Sequence, residues 1–171
     1  MGFEKRKAEK DEWYTPKEAV YPILKYIKPN SKIWCPFDTK DSLYYKILIE
    51  SGHKVICTSL LTGEDFFQTK EECDYIISNP PFSLRQEILQ RLFKIGKPFM
   101  MLMNTNGIFD SKTRWELFKN ADFTIIYLKG RVQYMEKYGG EPCLSPPFQS
   151  AYICNQISEE KIIFEEQNGG D

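Results

Sequence analysis

The residues of this chain with the most chemical content are Asn79-Pro80-Pro81-Phe82, which follow the apolar run Tyr75-Ile76-Ile77-Ser78. Each proline lacks an amide proton and fixes φ, so the pair forces the chain out of a strand and into a stiff extended loop. Such a loop is expected to leave the carbonyl oxygens of Pro80 and Pro81 without local partners. Asn79 adds an amide oxygen and an amide nitrogen, and Phe82 adds an aromatic plane. Together they predict a niche for a flat heterocycle bearing an amino group, with two oxygens accepting from the exocyclic NH2 and the ring stacked on Phe82. Other chemistries have few candidates. The single histidine, His53, removes most triads and histidine-rich metal sites, and its place after Gly52 at a helix end predicts an ordinary satisfied or solvated imidazole. Cys35, Cys57, Cys73, Cys143 and Cys154 are odd in number and contain no CxxC pair, which predicts reduced thiols rather than disulfides or a zinc knuckle.

Holding that loop in place requires a sheet. The pattern predicts strands over Lys32–Cys35, Lys54–Thr58, Tyr75–Asn79, Phe99–Asn104, Phe123–Leu128 and Ala151–Asn155, and helices over Pro16–Ile27, Ser42–Ser51, Leu84–Ile95 and Ser111–Lys119. The first four strands lack period-two alternation, as expected for central parallel strands covered on both faces. Thr15-Pro16 reads as an N-cap followed by proline at the first helical position, and Gly52 closes the second helix. The third helix carries an apolar stripe at Leu84, Ile88, Leu89, Leu92 and Phe93. This alternation implies an α/β, Rossmann-like, doubly wound and mostly parallel sheet in one domain spanning 1–171. Such sheets bind ligands at the carboxyl ends of their strands. The informative residues are therefore those after the first, second and fourth strands, namely Cys35 to Asp38, Thr58 to Phe66 and Ser78 to Ser83.

In this order the motifs resemble the S-adenosylmethionine-dependent amino-methyltransferases of class I fold, most closely the short phage and bacterial DNA N6-adenine methyltransferases. In that family the tetrapeptide after the fourth strand is the catalytic motif, which implies catalytic roles for Asn79, Pro80, Pro81 and Phe82 and a place for Asn79 beside the cofactor. Asp11-Glu12-Trp13-Tyr14-Thr15-Pro16 resembles the "Tyr-Thr-Pro" entrance, implying that Tyr14, Thr15 and Pro16 lie against the methionine part of the cofactor. Gly63-Glu64-Asp65-Phe66-Phe67 resembles the "Asp-Phe" step, implying that Asp65 meets the cofactor's adenine amino group and Phe66 flanks it. Phe148 to Cys154 resembles the closing strand. Cys35, Pro36, Phe37 and Asp38 stand where the family has Asp-Pro-Phe followed by glycines. The glycines are missing, and Asp38 is expected to accept from the cofactor's ammonium group. The second strand ends without an acidic residue, leaving the hydroxyls of Thr58 and Ser59 as substitutes on the ribose side. Taken singly, Asp65 reads equally as a loop carboxylate or helix cap, Trp13 and Tyr14 as a hydrophobic staple, and Cys35 as a small buried hydrophobe.

The resemblance implies transfer of a methyl group from S-adenosylmethionine to the N6 amino group of adenine in DNA, with RNA as the second choice of substrate. Asn79 Oδ1 and the Pro80 carbonyl would draw on the N6 protons while Phe82 holds the flipped base. Two alternatives stay open: an inert module on the same scaffold that binds nucleic acid or a protein partner, and a methyltransferase on another amine such as protein glutamine.

Between Ser83 and Gly140 ten basic side chains stand against five acidic ones, in a chain whose net charge is −1. This is either a polyanion-binding side or a set of solvated helix faces. The segment 129–149 joins basic and aromatic residues to Gly139-Gly140 and Pro146-Pro147, so it reads as a substrate-recognition loop or as a plain surface hairpin. Lys112, Arg114, Lys129, Arg131 and Tyr134 are the candidate nucleic-acid contacts. At 171 residues the chain suits one compact domain, with no room for a separate recognition domain. Its longest apolar run, Phe99 to Met103, stops far short of the roughly 18 residues a membrane helix needs. The opening MGFEKRKAEKDEW lacks the apolar core of a signal peptide. A cytoplasmic protein is expected, and the resemblance admits a phage origin in a bacterial host.

Overall fold

The computed structural model describes residues 13–136, 140–141 and 146–170. Asp11, Glu12, Lys137, Gly139 and Cys143, and with them part of the 129–149 loop, lie outside the described residues. Among the described residues seven strands form one sheet: β1 (Lys32–Cys35), β2 (Lys54–Cys57), β3 (Tyr75–Ser78), β4 (Phe99–Asn104), β5 (Phe123–Leu128), β6 (Ser150–Asn155) and β7 (Ile162–Glu165). Their order is β2-β1-β3-β4-β6-β5-β7, and β6 alone runs antiparallel, between β4 and β5. The helices are α1 (Lys17–Val20), α2 (Leu43–Glu50), α3 (Arg85–Ile95) and α4 (Lys112–Phe118). This is the expected doubly wound α/β architecture.

The pleat explains why the central strands show no alternation in sequence. Ile33, Cys35, Ile77, Met100 and Leu102 point to one face, where Val20, Ile23 and Leu48 cover them. Trp34, Ile76, Phe99, Met101 and Met103 point to the other, under Ile88, Leu92 and Phe118. Both faces are dry, so both parities must be apolar. The chain leaves β1 for β2 on one side and then places β3 on the other. Its crossovers therefore diverge at the carboxyl ends of β1 and β3, which is where doubly wound sheets open a crevice.

Four expectations need correction. The strand before Asn79 is the third of the chain and not the fourth. The helix expected over Pro16–Ile27 is one α turn followed by a 3-10 helix, Tyr21–Tyr26, because Pro22 brings no amide proton for an α-type bond. Thr15 does not cap it. Pro16 occupies the N-cap position, with no side-chain bond. Finally, β7 is an addition to the expected strands: it is a short edge strand with Ile162 and Phe164 exposed and only Ile163 of its apolar residues packed on the core, too little for the pattern to reveal.

Two buried tyrosines tie α1 to the sheet. The hydroxyls of Tyr44 and Tyr152 lie 2.8 Å apart, and Tyr152 Oη donates to the Ala19 carbonyl at 2.8 Å. Tyr152→Phe strips both groups of a partner in a dry site, which costs about 1–3 kcal/mol. A urea titration should show a lowered midpoint at unchanged slope, and an unaltered midpoint would mean that the bond contributes nothing.

Candidate cofactor and target-amine site

A cavity of about 540 Å³ opens at that crevice, inside the roughly 300–1,000 Å³ range of small-molecule sites. The loop after β1 supplies Pro36, Phe37, Asp38 and Thr39. The segment after β2 supplies Ser59, Leu60 and Leu61 and then Glu64 to Phe67. Asn79, Pro81 and Leu84 close the side beyond β3. Trp13, Tyr14 and Thr15 form the entrance, and Asp41 and Lys46 mark the rim near α2. Three loops far apart in sequence thus meet around one hollow.

Local bonds explain the wall after β2. Ser59 accepts from the Leu61 amide and starts a 3-10 turn over Leu60–Thr62. Gly63, at φ +89°, reverses the chain so that the Glu64 amide returns to the Ser59 carbonyl at 2.9 Å. Asp65 then spends Oδ1 on the Phe67 amide at 2.9 Å. Arg91 of α3 locks the turn from behind: Nε donates to the Phe66 carbonyl and Nη2 to that of Thr69, both at 2.7 Å, and its guanidinium sits 5.3 Å from the Phe66 ring. Phe66 is held between Trp34 and Phe37. Thr58 faces away, its hydroxyl accepting from the Trp34 indole at 2.8 Å.

Asn79 stands where the double proline stops β3. Its Nδ2 donates to the Trp13 carbonyl at 2.5 Å, while Oδ1 is buried and has no partner among the described residues. A carbonyl only accepts, so the end facing Trp13 must be the NH2 group, which leaves Oδ1 as a fixed, unused acceptor. Pro81 differs from expectation, because its carbonyl accepts from Leu84 at 3.3 Å and begins a 3-10 turn. Pro80 is buried and Phe82 is half-buried, both off the cavity wall. Phe82 meets Tyr134 and Phe148 edge-on, at 6.2 and 5.3 Å.

Asp38 is 6% exposed. Ser78 Oγ donates to its Oδ2 and accepts from the Phe37 amide at 3.3 Å. Burial pushes the carboxyl from 3.8 up to about 6, while the Ser78 and Ser42 hydroxyls pull it down. It remains mostly ionised at neutral pH. With Asp41, Glu64 and Asp65 it sets four carboxylates against one ammonium, Lys46, in the cavity wall. Such a wall favours a ligand that carries positive charge.

The structure brings together Tyr14, Thr15, Pro36, Phe37, Asp38, Ser59, Asp65, Phe66 and Asn79, and leaves out Thr58 and two further residues expected at the cofactor. Pro16 is buried behind the entrance, and the Cys35 thiol faces the core, where burial raises its pKa well above the ordinary value. Sequence reasoning missed Lys46 and Arg91, which look like ordinary polar residues on helix faces. It also missed Leu60-Leu61, an apolar pair whose exposure marks the lip of a pocket.

The nucleic-acid candidates divide. Lys112, Lys129 and Arg131 are exposed, with Lys129 paired to Glu166 and Arg131 donating to the Pro146 carbonyl. Tyr134 is a correction, being fully buried with its hydroxyl on Ser150 at 2.8 Å. So is Arg114, whose guanidinium holds the carbonyls of Gly107 and Ile108 and the Gln86 side chain. Arg85 is likewise spent on the carbonyls of Asn104 and Asn106. Among the described residues there is no cluster of metal-ligating side chains and no helix long and apolar enough to cross a membrane.

No family model matches the sequence. Over 79 residues the chain is 34% identical to the Type II methyltransferase M.EcoRI of Escherichia coli, a stretch that covers 40% of this chain and 24% of that protein. A solved modification subunit ascribed to a type I restriction enzyme of Vibrio vulnificus YJ016 superposes with a TM-score of 0.60 at 12% identity, covering 97% of this chain and 49% of the other. The chain thus spans about a quarter of the first protein and about half of the second. The resemblance read from the motifs therefore stands: the chain is similar to a methyltransferase in sequence and to a restriction-modification subunit in fold.

Proposed function

We propose that this chain transfers a methyl group from S-adenosylmethionine to the N6 amino group of adenine in DNA. The observation that carries the proposal is Asn79, whose Nδ2 is tied to Trp13 and whose buried Oδ1 is left as an acceptor beside an acidic, aromatic-walled cavity. The cavity fits the cofactor in chemistry. Its carboxylates suit the ammonium and sulfonium charges, Phe37 and Phe66 suit a purine face, and Asp65 keeps its second carboxylate oxygen for an amino group. When bound, S-adenosylmethionine supplies an electrophilic methyl group to a neutral amine. Asn79 Oδ1 would accept from that amine and localise its lone pair, while the Pro80 carbonyl and the Phe82 ring, which lie off the cavity wall, would meet the base only beyond it. The attacking amine is neutral and loses its proton after transfer, so the site needs no histidine. The exposed Lys112, Lys129 and Arg131 supply phosphate contacts. The names borne by the relative and by the structural neighbour support DNA over protein as the substrate.

Asn79→Ala removes the acceptor without touching the cofactor's charged groups. Labelled-methyl assays on DNA should fall to background while calorimetry with S-adenosylmethionine changes little, and retained turnover would refute the assignment.

Asp38 supplies a pH test. Its folded pKa lies above its unfolded value, so the protonated carboxyl favours folding below about pH 4, and that contribution is lost as pH rises through about 6. The shift corresponds to ~3 kcal/mol by which Asp38→Asn should outlast the parent chain at pH 7 but not at pH 4, read from chemical melts. A cation bound beside Asp38 needs the ionised form, so cofactor affinity should climb from pH 5 to 7 in the parent and stay flat and weaker in Asp38→Asn. Equal pH profiles would place the ammonium elsewhere.

A further inference from the structure

Trp13 belongs to two networks at once. Its backbone carbonyl receives Asn79 Nδ2, and its indole stands edge-on to Tyr134 at 5.8 Å and to Phe148 at 6.3 Å. Phe82 touches the same two rings, so Trp13, Tyr134, Phe82 and Phe148 close a ring of four aromatic contacts. The next residue, Tyr14, exchanges both backbone bonds with Met135, at 3.1 and 3.0 Å, as an isolated antiparallel bridge. These bonds fasten the entrance segment to the described base of the 129–149 loop. Of that loop's described residues, Tyr134 lies in the core and Phe148 packs against it.

We propose that Trp13 is a positioning residue for Asn79, and that the aromatic ring of four makes the entrance strap, the tetrapeptide and the base of the 129–149 loop one mechanical unit. The inference rests on the proposed transfer reaction for its consequence and on the geometry alone for its mechanism. An asparagine amide rotates freely about its last bond unless one end is held, and its two ends differ in sign. Here the holder is a main-chain carbonyl that itself belongs to no helix or strand. The carbonyl stays in register only because the indole is wedged between Tyr134 and Phe148 and because Tyr14 is bridged to Met135. Loss of the wedge lets the strap drift, and a reacting group misplaced by an ångström costs on the order of a hundredfold in rate.

The test compares Trp13→Ala, Trp13→Phe and Phe148→Leu, the last cutting one ring contact and serving if Trp13→Ala does not fold. In nitrogen-edited spectra, the Asn79 side-chain NH2 pair is identified by its disappearance in Asn79→Asp. It should be exchange-protected in the parent and in Trp13→Phe, and should move to the free-amide position in Trp13→Ala, with Phe148→Leu between. On DNA, Trp13→Ala should lose roughly tenfold to a hundredfold in kcat, with a smaller change in cofactor KM, and Trp13→Phe should recover most of it. An unchanged Asn79 pair in Trp13→Ala overturns the proposal. So does a cofactor KM change that accounts for the entire loss, since Trp13 would then be only a wall of the cavity. A parent chain that binds cofactor but methylates nothing sinks the function reading alone, because the amide spectra still decide what holds Asn79.

Discussion

An amide side chain presents an acceptor in one direction only when its donor end is bonded elsewhere, and the bond from Asn79 to the Trp13 carbonyl meets that requirement here. The end of β3 and the entrance segment both serve that bond. The two prolines end β3 one residue earlier, so Asn79 leaves the sheet at its carboxyl edge rather than pairing inside it. The order of β1 and β3 places that edge over a crevice. The entrance segment crosses the crevice with its backbone facing Asn79, clamped by aromatic contacts to residues more than a hundred positions away.

The electrostatics of the hollow follow from burial more than from composition. The chain is close to neutral overall, yet the cavity gathers four carboxylates and one lysine. Burial raises the pKa of Asp38, and the hydroxyls of Ser78 and Ser42 pull it partly back down. Ser78 therefore links the end of β3 to the loop after β1 through one oxygen that both donates and accepts.

Three arginines that a charge count would place on a binding face instead hold backbone carbonyls. Arg91 shapes the turn that carries Asp65 and Phe66, while Arg85 and Arg114 bracket the loop after β4. A guanidinium has five donors in a planar fork, which suits it to several carbonyls at once where a lysine would reach one. The positive stretch of the sequence is thus partly structural, and of the five candidate contacts only Lys112, Lys129 and Arg131 are exposed.

The strands and helices were legible because their signals are local. Apolar runs, a helical stripe and proline breaks put most boundaries within one residue of those observed, and the tetrapeptide announced its own stiffness. Tyr134 was misread because an aromatic residue in a polar stretch looks exposed until Trp13, Phe82 and Ser150 are folded around it. β7 escaped because an edge strand buries only part of its side chains. The amino-acid order by itself determined the α/β alternation, the exit of the chain at Asn79 and the kind of group that exit displays. Which end of the Asn79 amide is free, how charged the hollow is, and which arginines are spent were decided only by the tertiary structure. Each depends on a carbonyl, a ring or a dehydrated neighbour brought close from a distant part of the chain.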